Sequence, residues 1–247
     1  MELYQNVLRD LEALQQSFPV RRWAYDPAKA WEDSGRSELV LQRDAAFELG
    51  GSGRPSVNFA CIAMERKLAG NEVILIGPDL PALRTDAPFA RIAVLEMEPP
   101  AAADGLTEED QLFRVIRSME FVKYHVYPKG YMVRISSGSY REQVRVDKAA
   151  LRRGMRFETI GCDYIRHYLE NPFVRRAQVI FVTDPQAPFP ALTEQAKRAD
   201  DIAHALDHMQ EGMAMDCSSC NLKPVCDEVE GLRELHFGIQ KESGETT

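Results

Sequence analysis

The sequence predicts an α+β or α/β fold, a mixed sheet flanked by helices, with a carboxy-terminal helix leading into a Cys-rich metal-binding module. Three observations carry this. Between about residues 38 and 189, short apolar runs alternate with polar stretches. At the amino terminus, and again after Pro190, apolar residues recur every three or four positions, the period of one helix face. Near the carboxy terminus, three of the 5 cysteines crowd between Cys217 and Cys226.

Leu3, Val7, Leu11 and Leu14 place one apolar face on a first helix, which Phe18-Pro19 ends. The runs ELVLQ (38–42), VNFACIAM (57–64), EVILIG (72–77) and FARIAVLEM (89–97) read as strands. A helix follows at TEEDQLFRVIRSMEF, with Thr107 and Asp110 at its start. Strands return at YMVRI (131–135), QVRV (143–146) and AQVIFVT (177–183). Asp147 before KAALRRG marks a short helix capped at one end and stopped by Gly154 at the other. Leu192, Ala196, Ala199, Ala203, Leu206 and Met209 then form the stripe of a long helix. The expected organisation is a helical segment at 1–37, an α/β domain at 38–190, and a long helix plus Cys-rich tail at 191–247.

Of 247 residues, 45% are apolar and 28% charged, enough to build a core. Lys and Arg total 30 against 38 acids, and the net charge of −8 predicts no wholesale affinity for nucleic acid or an anionic membrane. No apolar run reaches the roughly 18 residues of a membrane span, and the first residues do not read as a signal peptide. A cytoplasmic protein is expected. An odd number of cysteines in that reducing setting fits a metal or redox site better than a disulfide framework. Residues 48–55, ELGGSGRP, lack the Lys-Ser/Thr of a phosphate loop and the spacing of a dinucleotide turn, and read as a tight turn between strands.

The cysteines are spaced C-x2-C-x5-C: Cys217, Cys220 and Cys226. Two thiolates separated by two residues point the same way from a turn and can grip one metal or two corners of an iron-sulfur cube. Three thiolates call for a fourth ligand, and His236 lies ten residues beyond Cys226. Three cysteines and a histidine also suit zinc, so spacing alone leaves both metals open. Cys61 and Cys162 read as core thiols, with Cys162 the reserve candidate for the fourth position. His204 and His208, four apart on the long helix, lack the adjacent Glu of a zinc protease and read as an exposed pair. No nucleophile, base and acid arrangement with a local signature appears, so the chain is not expected to be catalytic by itself.

Charge is unevenly spread. Residues 114–176 hold 14 Lys or Arg against six acids, leaving the rest of the chain strongly negative. The planar fork of arginine binds phosphate bidentately, which makes Arg145, Arg152, Arg153 and Arg156 candidates for holding a phosphorylated ligand such as coenzyme A. An acidic partner protein, or arginines that face solvent and the acidic remainder, are the alternatives.

Taken in order, FEL (47–49), VILIGPDL (73–80), FARIAVLEME (89–98), VRVDKAALRRGMRFETIGCDYI (144–165) and AQVIFVTD (177–184), followed by the cysteines, resemble the middle domain of the acetyl-CoA synthase subunit of the carbon monoxide dehydrogenase/acetyl-CoA synthase complex. The resemblance covers roughly residues 45–237. It implies a Lys-x-Ala helix start, a Gly-x-x-Phe turn into a strand, a helix, and a strand ending in Thr-Asp. It also implies that Cys217, Cys220 and Cys226 match the family's first three cluster cysteines, with His236 at the fourth position and a [4Fe-4S] cluster as the cofactor. The Cys220 to Cys226 gap is shorter than the family's, and the Cys-Gly-Cys that holds the distal nickel has no counterpart in the sequence. The resemblance therefore implies an accessory protein linked to a carbon monoxide dehydrogenase or corrinoid one-carbon system. A zinc-stabilised interaction module and a subunit of a multi-chain enzyme are the other two readings.

Overall fold

The computed structural model describes residues 4–64, 67–98, 108–136 and 140–210. Eight strands and five helices follow in the order α1 (Gln5–Ser17), β1 (Val20–Ala24), β2 (Ala45–Leu49), β3 (Ser56–Ala63), β4 (Glu72–Ile76), β5 (Phe89–Met97), α2 (Glu108–Val122), β6 (Tyr131–Ser136), β7 (Arg141–Asp147), α3 (Lys148–Arg152), α4 (Phe157–Leu169), β8 (Val174–Val182) and α5 (Phe189–Gln210). A five-stranded sheet has the order β1-β4-β8-β5-β3, and a three-stranded sheet the order β2-β7-β6. The larger sheet is mixed: β3 with β5 and β4 with β8 are parallel, while β5 with β8 and β1 with β4 are antiparallel. This is the α+β class that the sequence predicts.

Strands β3, β5 and β8 are buried along nearly their whole length, the pattern of a sheet covered on both faces. Helix α4 packs against β4 and β8, and α5 against β3. In α4 the residues Phe157, Ile160, Gly161, Tyr164, Ile165 and Tyr168 are all buried, a helical stripe that follows directly from their spacing. Phe157 lies 4.6 Å from Phe181 of β8 and 6.1 Å from Phe89 of β5, centroid to centroid. Gly161 lets this helix approach the sheet closely: a Cβ there would sit 2.5 Å from both methyls of Val73.

Helix α1 buries Val7, Leu11 and Leu14 and ends before Phe18. The amino-terminal 37 residues hold more than a helix, since β1 forms the edge of the main sheet in register with β4. Residues 38–42, expected as a strand, pair with no strand. Leu39 and Leu41 are exposed there, and β2, a few residues further on, takes the edge of β7 while burying Phe47 and Leu49. The turn between β2 and β3 falls at 50–55 as expected, with Gly50 at φ +63 where its Cβ would collide with Ser56 and the Glu142 carbonyl. Asp147 caps α3, accepting from the Ala149 N–H at 2.9 Å, and Gly154 follows at φ +99. The resemblance implied a turn from Gly154 to Phe157 into a strand. The chain enters α4 instead, because Phe157, Ile160, Tyr164 and Tyr168 bury at helical spacing. No helix among the described residues is long and apolar enough to cross a membrane.

Candidate functional site

Arg152 and Arg153 leave the end of α3 and line a cleft of 440 Å³. Arg43, Lys129 and Lys148 add three further cations, set against Glu38, Asp44 and Asp147. The cleft lies where the loop before β2 meets the start of β6 and the end of β7. Glu32 tethers part of this charge: Lys129 Nζ donates to it at 3.0 Å, and an Arg153 nitrogen stands 3.6 Å from its other oxygen. The Lys129 ammonium holds the Glu32 carboxyl below its ordinary range. The Arg153 guanidinium also lies over the Trp31 ring, 5.4 Å from its centroid, which fixes a flexible side chain in place. Lys148 Nζ donates to the Arg43 carbonyl at 2.9 Å.

The other two candidate arginines are placed differently. Arg145 spends its Nε on Glu48, joining β7 to β2, and does not line the cleft. Arg156 is the residue before α4. Its backbone N–H donates to Thr159 Oγ1 at 3.2 Å, and that hydroxyl donates back to the Arg156 carbonyl at 2.9 Å. The structure thus brings together Arg152 and Arg153, with Arg43, Lys129 and Lys148 as additional cations.

A second constellation had no motif to announce it. Asp163 and His167 stand four apart on one face of α4, and Asp33 reaches them from a loop held to Pro128 by a single bridge. One ligand-type atom from each lies within 4.8 Å of the others. His167 Nε2 is 3.0 Å from Asp33 Oδ2 and 3.8 Å from Asp163 Oδ1. Asp33 is anchored by the N–H groups of Gly35 at 2.6 Å and Tyr127 at 3.0 Å. Burial raises its carboxyl, yet those hydrogen bonds and His167 outweigh it, so Asp33 titrates below its ordinary value. Asp163 is fully buried. Burial pushes its carboxyl up to about 7, against the pull of Arg166. The i, i+4 spacing of Asp163 and His167 is visible in the sequence, but Asp33 lies 130 residues away.

Cys217, Cys220, Cys226 and His236 lie outside the described residues, as does any placement of their ligand set. The side chain of His208 lies outside them as well. Helix α5 ends at Gln210, a few residues before Cys217. His204 is exposed and paired with Asp200 at 3.3 Å. Cys61 and Cys162 are both buried free thiols, and burial pushes each thiol above its ordinary value. No family model matches the chain, and comparison with curated proteins likewise gives no match.

Proposed function

We propose that this chain is an accessory protein of the acetyl-CoA-synthase type. It holds one [4Fe-4S] cluster through Cys217, Cys220 and Cys226, with His236 as the fourth ligand, and serves a carbon monoxide dehydrogenase or corrinoid system in the cytoplasm. The observation that carries this is the C-x2-C-x5-C spacing. The donor set fits the group: three soft thiolates and an imidazole suit an iron-sulfur cluster. The burial of Cys61 and Cys162 supports it, because neutral thiols held inside a core are poor ligands. The cluster would supply electron transfer or a structural clamp, and the folded body would supply docking.

In this reading the cleft beside Arg152 and Arg153 takes a phosphorylated ligand such as coenzyme A. Its volume is that of a small-molecule site, and the five lining cations outnumber the three lining acids and Glu32 together, which favours an anion. Zinc is the second reading, favoured by the same three-thiolate, one-imidazole set. Purification without oxygen, followed by elemental analysis and a visible spectrum, decides between them. About four irons per chain with a brown chromophore supports the cluster. One colourless zinc supports the interaction module, and no metal in either form sinks both.

A further inference from the structure

Each member of the Asp33, Asp163 and His167 constellation is held in place by a neighbour. Arg166 donates to Asp163 Oδ1, the oxygen that also lies 3.8 Å from His167 Nε2. The other oxygen of that carboxylate, Oδ2, is buried and meets no hydrogen-bond donor among the described residues, although the side chain is 0% exposed. A buried carboxylate oxygen without a partner is costly, and native proteins rarely leave one so. His167 Nδ1 lies 3.5 Å from Glu170 Oε1, the outer carboxylate that a metal-bound imidazole usually has behind its second nitrogen. Asp33 Oδ1 accepts from the Gly35 N–H, and its Oδ2 accepts from the Tyr127 N–H at 3.0 Å while facing His167 Nε2.

We infer that Asp33, Asp163 and His167 form a mononuclear site for a divalent transition cation, with Glu170 orienting the imidazole and Arg166 orienting the buried carboxylate. Two carboxylates and one imidazole are the donors of manganese, iron and zinc centres. His167 Nε2 and Asp33 Oδ2 stand at hydrogen-bond distance, 3.0 Å, and ligand atoms about 2.1 Å from one ion at right angles stand about 3.0 Å apart, so an ion would take the place of the proton between them. Arg166 pairs with Asp163, while Asp33 and Glu170 flank His167, so the carboxylates around the group outnumber its one guanidinium. The Asp33 and His167 side chains are 11% and 23% exposed, so the group is reached from solvent on their side.

Mn²⁺ is the probe, since it favours carboxylate and imidazole over thiolate and so separates this site from the Cys-rich tail. The full chain should bind about one Mn²⁺, read by electron paramagnetic resonance, with pulsed spectra showing an imidazole nitrogen on the ion. Asp163→Asn and His167→Gln should each weaken binding at least tenfold, and Glu170→Gln, at an exposed position, several-fold. Cys217→Ser should change nothing in this measurement. Bound Mn²⁺ without nitrogen modulation in the unmodified chain overturns the assignment, as does affinity unchanged by all three ligand-shell substitutions, or the absence of Mn²⁺ binding by the unmodified chain.

Discussion

Arg91 of β5 and Glu142 of β7 form an ion pair that ties the two sheets together, with side chains 1% and 0% exposed. Arg91 Nε donates to both carboxylate oxygens at 3.0 Å, and a terminal nitrogen donates to Oε2 at 2.8 Å and to the Lys123 carbonyl at 3.1 Å. The guanidinium also lies 4.0 Å from the Tyr164 ring centroid. Burial drives the Glu142 carboxyl up while Arg91 pulls it down. Burial likewise opposes the Arg91 charge, but Glu142 prevails and holds it on.

Removing one partner leaves the other charged and sealed from water. Glu142→Ala should therefore cost about 3–5 kcal/mol of folding stability, read as a fall in the urea midpoint. The pair replaced together, Arg91→Met with Glu142→Leu, should recover most of that loss, because neither charge then pays for desolvation. A double variant as unstable as the single one would show that the sheets depend on the pair itself.

The close contact between α4 and β4 gives an opposite expectation to simple helix propensity. Gly161→Ala gains about 1 kcal/mol of helix propensity, but the new methyl meets two Val73 methyls at 2.5 Å. Val73 is fully buried and its β-branched side chain has little rotamer freedom. Overpacking of this kind costs about 1–3 kcal/mol, so the variant should melt lower than the parent. A higher melting temperature would mean that α4 can lift off the sheet at no cost.

The cleft is tested by a charge deletion that spares the fold. Arg152→Ala with Arg153→Ala should weaken coenzyme A binding about tenfold at low salt, and salt should weaken the parent in the same way. Arg145→Ala should act through stability instead, since Arg145 is spent on Glu48. Calorimetry that registers no coenzyme A binding at low salt removes this ligand and leaves an acidic protein partner for the cleft.

The apolar runs were legible because a covered sheet buries nearly every side chain, as in β4, β5 and β8, even where β5 carries the buried Arg91. Of the edge strands, β3 and β6 were legible too, and β1 and β2 were not. In β1 the run VRRWA carries two arginines, one of which, Arg22, pairs with Glu72 of the neighbouring strand at 2.8 Å, so pairing partner and not hydropathy makes it a strand. Leu39 and Leu41 misled in the other direction, their alternation having no sheet edge to meet. Arg152 and Arg153 could be read from local charge density. Asp33 could not be joined to Asp163 and His167 by any local spacing, because the loop that carries it is positioned by tertiary contacts with residues 127–129 and His167.

The identity of the fourth ligand in the tail can be tested against the folded body. Cys162 lies in α4, fully buried, with its thiol raised above the ordinary value first by desolvation. A ligand must be a thiolate, so recruiting Cys162 would require opening its buried setting beside Asp26 and Lys29. Cys162→Ser should accordingly leave metal content and spectrum unchanged, whereas His236→Ala should lower metal retention and Cys217→Ser, Cys220→Ser or Cys226→Ser should each abolish it. Alkylation gives an independent reading: in the native protein a chelator should expose three of the 5 thiols to iodoacetamide, with Cys61 and Cys162 reacting only on unfolding. Loss of the metal in Cys162→Ser, together with four thiols uncovered by chelation, would move the fourth ligand from His236 into α4.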